Sequence, residues 1–293
     1  MEIVDPGATR KILHKHRFRQ KKSLGQHFLV DKGIVRQIVA AAELKAQDVV
    51  IEIGPGIGTL TRVLAGQAGQ VISVELDWTL LPVLEDTLKD YSNVRIVQGD
   101  ALKVNFDQLV GKTDLTDGYK VVANLPYYIT TPLVMHLLES GFHIKTLVLM
   151  VQEEVALRML AKPGSKEYGA LSVAVQFYAL PRLITRVLPS AFIPPPEVFS
   201  AVILLEIHAH PPVAIPDRRL FFGIVRAAFG QRRKTLLNAL AAGGLGPNKN
   251  QWETLLVRCG LDGLRRGETL SLEEYAALCR ELWKWKQDLS LRQ

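Results

Sequence analysis

The sequence predicts an α/β protein, a doubly wound, Rossmann-like sheet followed by a small all-helical domain. Three observations predict it. Between residues 49 and 151, short runs dense in Val, Ile and Leu alternate with segments whose apolar residues recur at helical spacing. The runs are continuous and rich in Val, Ile and Leu, as strands covered on both faces are. Beyond residue 217 strand-like runs cease, and helix-capping patterns take their place.

The elements follow in order. From Asp31 to Ala42, Ile34, Val35, Ile38 and Val39 recur at helical spacing and predict an amphipathic helix. VVIEI (49–53) predicts a strand, and a helix begins with Leu60 to Ala65. VISVE (71–75) is a second strand, with Thr79 to Lys89 helical after it. VRIV (94–97) and VVANL (121–125) are the third and fourth strands, Pro132 to Leu138 a helix, and TLVLMV (146–151) a fifth strand. LSVAVQFYAL (171–180) and SAVILLEI (200–207) read as two late strands, a hairpin-like pair appended to the parallel sheet. The four prolines of LPSAFIPPPEVFS predict a stiff extended loop between them. HAHPPVAIPD (208–217) marks a boundary. Past it, Asp217 is placed to cap a helix, and Asn248 with Gln251 and Ser271 with Glu274 fit capping boxes. The expected organisation is a basic arm (1–22), an α/β domain (23–207), a linker (208–217) and a helical domain (218–293).

The charge balance is basic, with 36 Lys and Arg against 29 Asp and Glu over 293 residues. It points to a polyanionic partner, nucleic acid before membrane. Residues 1–22 hold seven cations (Arg10, Lys11, Lys15, Arg17, Arg19, Lys21, Lys22) against Glu2 and Asp5, a net of +5. No apolar stretch follows them as a secretory signal requires, and no run reads as a membrane span. The arm reads either as a solvated segment or as one that contacts phosphates. A second run, Arg218, Arg219, Arg226, Arg232, Arg233 and Lys234, has six cations and no acid. It is a candidate phosphate-binding face. Cys259 and Cys279 are too few for a disulfide framework and lack metal-ligand spacing, so reduced thiols, no metal and a cytoplasmic setting are expected. A monomer suffices.

The chemistry gathers at strand ends. EIGPGIGTLT (52–61) joins a strand to a helix through Gly54, Gly56 and Gly58, which let the backbone turn tightly and approach a ligand. Its GxGxG spacing is not the GxGxxG of dinucleotide sites, and no hydride-transfer site accompanies it. In a doubly wound sheet, ligands lie beyond the carboxyl ends of the strands. Glu75 ends the second strand, where a carboxylate can accept both hydroxyls of a ribose. Asp100 follows the third and can accept from an adenine amine. The fourth ends in NLPYY (124–128). There the Asn124 side-chain oxygen and the Leu125 carbonyl can accept hydrogen bonds from a planar exocyclic amine, and Tyr127 can stack on its base. Such a site suits attack by an amine on a sulfonium methyl, an in-line displacement governed by positioning.

The chain resembles the ribosomal RNA adenine dimethyltransferases that use S-adenosylmethionine, and within them the bacterial branch that acts on the small-subunit (16S) RNA. The resemblance covers about residues 20–290. It rests on KKSLGQHFL (21–29), EIGPGIGTLT (52–61), VELD (74–77), QGDAL (98–102), NLPYYITTPL (124–133) and FIPPPEVFSAV (192–202). It implies a Rossmann-like methyltransferase domain, with His27 and Leu29 over the cofactor, Gly54 at its methionine part, Glu75 at its ribose and Asp100 at its adenine. It further implies that Asn124 serves both cofactor and target amine, and that Tyr127 and Phe192 sandwich a flipped adenine. Position 27 is His where many members have Asn, and a charged ring beside a sulfonium would be unfavourable, so a neutral ring is expected. Ser23, Gln26 and Phe28 read as anchors of the N-terminal loop. The implied reaction is N6,N6-dimethylation of two adjacent adenosines near the 3′ end of 16S rRNA, with a role in subunit biogenesis. The alternatives are methylation of 23S rRNA and a mainly non-catalytic assembly factor; a DNA adenine methylase is a weaker rival, since the sequence shows no target-recognition domain.

Overall fold

The computed structural model describes residues 4–21, 24–111, 117–231 and 233–290. Lys22, Ser23 and Arg232 therefore lie outside the described residues. In chain order the elements are α1 (Pro6–Lys15), β1 (Phe28–Leu29), α2 (Lys32–Ala41), β2 (Val49–Ile53), α3 (Thr59–Ala65), β3 (Gln70–Glu75), α4 (Leu81–Leu88), β4 (Val94–Gln98), α5 (Phe106–Val110), β5 (Tyr119–Asn124), α6 (Thr130–Glu139), β6 (Ile144–Gln152) and α7 (Glu153–Leu160). There follow α8 (Ala170–Tyr178), β7 (Ala179–Val187), β8 (Phe192–Ile193), β9 (Ser200–Ile207), α9 (Arg218–Gly230), α10 (Leu236–Ala241), α11 (Lys249–Arg258) and α12 (Leu272–Ser290).

Seven strands form one mixed sheet in the order β4-β3-β2-β5-β6-β9-β7. The first five run parallel, and β9 pairs antiparallel with β6. The order reverses between β2 and β5, so the carboxyl ends of β2, β3, β4 and β5 open onto a switch point. Alternate residues of the sheet, among them Val50, Val71, Val122, Val148, Met150, Val202 and Leu204, pack against Val35, Ile38 and Val39 of α2 and Leu60 and Leu64 of α3. Asp31 caps α2 by accepting from the Ile34 amide at 3.0 Å.

The chain divides into two compact units. One comprises residues 1–156 and 180–207, the other 157–179 and 208–293. This departs from the boundaries read in the sequence, because the segment read as a late strand at 171–180 is helical. Leu171, Ser172, Val173, Ala174, Val175 and Phe177 of α8 are all buried, so the helix has no polar face to give it a 3.6-residue period. Phe177 packs on Phe221 and Phe222 of α9 at centroid distances of 5.1 and 5.4 Å, which joins α8 to the helical unit. The strand beside β9 is instead β7, which begins as α8 ends. The caps at Asp217, Asn248 and Ser271 form as the sequence indicates.

The described part of the basic arm is not a free solvated tail. Asp5 caps α1, with Pro6 as its first residue. Ile12, Leu13 and Phe18 pack against Phe28, Ile57, Leu80 and Val83. Lys15 and His16 both bond Asp86. Apolar residues at helical spacing within the charged run outweigh its solvation. Cys259 and Cys279 are free thiols whose pKa burial pushes up to about 11, so both stay protonated. Among the described residues, no helix is long and apolar enough to cross a membrane.

Candidate active site

The best-formed site among the described residues is a cleft of about 1010 Å³, open to solvent, at the carboxyl ends of β2 to β5. Its walls come from the ends of β2 to β5 with the turns after them, and from residues 24–29. Gly54 and Gly56 adopt φ of +72° and +61°, which L side chains rarely take. A Cβ on Gly56 would stand 3.1 Å from the Phe28 ring, which would have to yield to admit it. The Gly54 amide is held by the Val74 carbonyl at 3.0 Å, which ties the loop to β3. The result is a length of bare backbone beneath the N-terminus of α3.

Glu75 and Asp100 both line the cleft. Glu75 is 6% exposed. Its carboxylate accepts from the Asp77 amide at 2.7 Å and the Gly56 amide at 3.4 Å. Burial nevertheless pushes its pKa up to about 7, more than these amides and the Leu76 amide counteract. Asp100 accepts from the Leu102 amide at 3.0 Å and has Lys103 at 3.6 Å. Glu52 is a second buried carboxyl, outside the cleft wall, raised to about 7 by burial and by the Glu75 charge. Ser73 donates to it at 2.8 Å, and the Thr61 hydroxyl approaches it without a well-formed hydrogen bond.

The opposite wall is the turn after β5. The Asn124 amide nitrogen donates to the His27 carbonyl at 3.2 Å, which leaves the side-chain oxygen as the acceptor. The Leu125 amide is anchored on the Met150 carbonyl at 3.0 Å. The Tyr127 hydroxyl and Ser200 Oγ lie 2.6 Å apart, and desolvation raises the phenol pKa. The His27 ring stacks on Tyr127 with centroids 5.7 Å apart and planes 23° apart. His27 Nδ1 lies 2.7 Å from the Pro194 carbonyl, an acceptor only, so the proton sits on Nδ1.

His27, Leu29, Gly54, Gly56, Glu75, Asp100, Asn124, Leu125 and Tyr127 thus come together in one cleft. Phe192, expected beside a target base, is not among the residues that line it. It is 3% exposed, paired through its backbone with Leu29 and packed in the apolar cluster under the sheet. An unpartnered aromatic ring gains more from that burial than from a place at a cleft wall. Arg218, Arg219 and Arg226 lie on α9 and Arg233 and Lys234 in the turn after it, all exposed and none on the cleft. The residues passed over in the sequence are Leu76 and Tyr128, both on the cleft wall and about half exposed. Both stand inside motifs already singled out, VELD and NLPYY, and position next to a strand-end residue was the available signal.

The model of the family described as ribosomal RNA adenine dimethylase matches residues 17–278. The "Ribosomal RNA small subunit methyltransferase A" of Moorella thermoacetica is 52% identical over 285 residues, covering 96% of this chain and 98% of that protein. Among solved structures, a dimethyladenosine transferase from Plasmodium falciparum superposes with a TM-score of 0.76 at 27% identity, over 88% of this chain and 98% of the other. The 23S rRNA methyltransferase ErmE gives a TM-score of 0.67 at 26% identity, over 87% and 99%.

Proposed function

The chain belongs to the ribosomal RNA adenine dimethylase family, and on that premise we propose that it transfers methyl groups from S-adenosylmethionine to N6 of two adjacent adenosines near the 3′ end of 16S rRNA. The accepting particle is the small ribosomal subunit, and the modification is a step in its biogenesis. The name borne by the relative at 52% identity supports the choice of subunit. The observation that carries the chemistry is the orientation of Asn124. With its amide nitrogen bonded to the His27 carbonyl, the side chain presents an oxygen where a planar amine needs an acceptor.

When bound, S-adenosylmethionine supplies an electrophilic methyl on a sulfonium centre. The residues of the cleft fit this donor. The bare backbone of Gly54 and Gly56 accommodates its methionine part, the Glu75 carboxylate accepts its ribose hydroxyls and Asp100 its adenine amine. Leu29 and His27 cover it, and the proton on His27 Nδ1 is held by the Pro194 carbonyl. Toward the target, Asn124 Oδ1 and the Leu125 carbonyl accept the two N6 hydrogens and turn the nitrogen lone pair toward the methyl group. One face of Tyr127 lies against His27, so the extruded purine stacks on the other, with the ring held through Ser200. No strong base is needed, because the methylated amine would emerge as a cation when the sulfur–methyl bond breaks, and that cation is acidic enough to lose its proton to water. Positioning supplies the rate. The exposed cations of α9 and the turn after it bind RNA phosphates.

The test is incubation of purified protein and labelled donor with unmethylated small subunits and, separately, with large subunits, followed by nucleoside analysis. Label is expected in N6,N6-dimethyladenosine from small subunits alone. Label in the large subunit would favour a target like that in the ErmE name. Asn124→Ala should lower kcat by about 100-fold while leaving the protein folded. If subunit maturation survives that substitution in cells, an assembly role separable from catalysis follows.

A further inference from the structure

We propose that Asp77 is a positioning residue for the transfer reaction, holding residues 24–29 as a roof over the donor end of the cleft through Lys21 and Gln26. The proposal rests on the reading of the cleft as a site for a methyl donor and a purine amine.

Asp77 lies two residues beyond Glu75 and does not line the cleft. Its side chain is fully buried, and its carboxylate gathers four hydrogen bonds. Two are local, from the Thr79 amide at 3.1 Å and the Thr79 hydroxyl at 2.6 Å, and both reach Oδ1. These close the turn that leads into α4. The other two come from far along the chain, from Lys21 Nζ at 2.6 Å to Oδ1 and Gln26 Nε2 at 2.8 Å to Oδ2. The turn does not use Oδ2, so Gln26 holds it for a different purpose. A buried carboxylate adds little net stability even when paired, which leaves a positional role as the reason for this arrangement. Burial raises the Asp77 pKa, and the bonds from Lys21, Thr79 and Gln26 more than reverse that, so it stays charged.

The segment so held reaches both halves of the site. Gln26 is gripped at both ends of its amide, because its oxygen accepts from the Lys21 backbone at 2.9 Å. A Cβ added at Gly25 would come within 3.7 Å of the Tyr128 ring, so the segment passes close to that side of the cleft. His27, the next residue after Gln26, receives the Asn124 amide on its carbonyl and lies against Tyr127. On the other side the Asp77 amide bonds Glu75 itself. One turn therefore connects the carboxylate assigned to the ribose with the residue that fixes which way Asn124 points. Loosening the grip should weaken donor binding and misorient the acceptor amide together.

The experiment uses the full chain carrying Asp77→Asn, Gln26→Glu, or both. Asp77→Asn sets one amide NH2 against that of Gln26, and Gln26→Glu sets two carboxylates face to face. The double variant restores the bond with donor and acceptor exchanged, while the second oxygen of the carboxylate introduced by Gln26→Glu still accepts from the Lys21 amide. Readouts are the dissociation constant for S-adenosylhomocysteine, kcat and KM on unmethylated small subunits, and amide exchange over residues 24–29. Each single variant is expected to weaken S-adenosylhomocysteine binding and lower kcat by about tenfold or more, with faster exchange in that segment. The double variant should recover most of both. Single variants with unaltered exchange and binding, or a double variant as impaired as the two singles combined, would overturn the proposal. Because Gln26→Glu lies outside the Asp77 turn, it keeps the test open should Asp77→Asn fail to fold. A wild-type protein that neither binds S-adenosylhomocysteine nor methylates the particle would overturn the proposal and the function together. An active wild type matched by both single variants overturns the positioning role alone.

Discussion

Glu75 works against its own surroundings. To accept two ribose hydroxyls it must be charged, yet burial brings its pKa to about 7. Hydroxyl donors favour the charged form, so the bound pKa falls and binding below that value expels a proton. Affinity for S-adenosylhomocysteine is therefore expected to rise toward tenfold per pH unit up to about 7 and to level off above it. Calorimetry at about pH 6, 7 and 8 checks this, and Glu75→Gln should bind more weakly with that slope gone. Glu52 has the same raised pKa without a ligand to relieve it. A carboxyl whose folded pKa lies above its unfolded value of 4.5 stabilises the fold below pH 4.5, and that contribution is lost as pH rises through about 7. The full shift corresponds to about 3 kcal/mol. Glu52→Gln should melt close to the wild type at about pH 5 and well above it at about pH 8, and equal pH profiles would refute the assignment. At this scale the cleft was legible where a residue's position follows from a strand end, as for Glu75, Asp100 and Asn124. Phe192 was not legible, because its burial depends on pairing with Leu29, 163 positions earlier.

Among the elements, the glycine turn after β2 is the most constrained by its geometry. Gly56→Ala must place a side chain at φ +61° and press it against Phe28, a combined strain of about 1–2 kcal/mol. Loss of S-adenosylhomocysteine binding together with a lower melting temperature is expected, whereas a variant with wild-type affinity would show that the turn relaxes freely. The turn was readable because a tight strand-to-helix reversal leaves glycine as the residue that fits. β2, β3, β5 and β6 were readable because burial on both faces makes them largely apolar, whereas β4, at the sheet edge, is only half-buried and exposes Arg95. That same rule misleads at α8, where a helix buried nearly all round carries Val173, Val175 and Phe177 and imitates a strand. In α1 the high charge hid ordinary helix signals, Asp5 as cap and Pro6 behind it. Gln26 was readable as an anchor of the N-terminal loop, but its partner Asp77 was not, since hydrogen bonds across 56 and 51 residues leave no local pattern.

For the whole molecule the question is where its excess positive charge acts. Part of the N-terminal cluster is already committed, with Lys15 on Asp86 and Lys21 on Asp77. The helical unit is different. On α9, Arg218, Arg219 and Arg226 fall at about 0°, 100° and 80° around the axis and are all exposed, with the buried Phe222 between them at about 40°. The other buried residues of the same helix are Phe221, Ile224, Val225 and Ala228. Arg218 rests over the Tyr178 ring at 5.9 Å, which steadies it without consuming its charge. Among the described residues no carboxylate forms an ion pair with Arg219, Arg226, Arg233 or Lys234. Cations left unpaired on a rigid helix keep their full value for phosphates, whose release of counterions makes binding salt-dependent. Replacing Arg218, Arg219 and Arg226 together with Gln is therefore expected to raise KM for small subunits and to flatten the log–log salt dependence of binding by about 2 to 3 units, at roughly 0.7–0.9 per phosphate contact. Melting temperature and affinity for S-adenosylhomocysteine should stay at wild-type values, because none of the three lines the cleft or enters the core. An unaltered salt slope would assign this face to solvent and return the search for the RNA contact to the remaining cations of the N-terminal segment, Arg10, Lys11, Arg17, Arg19 and Lys22.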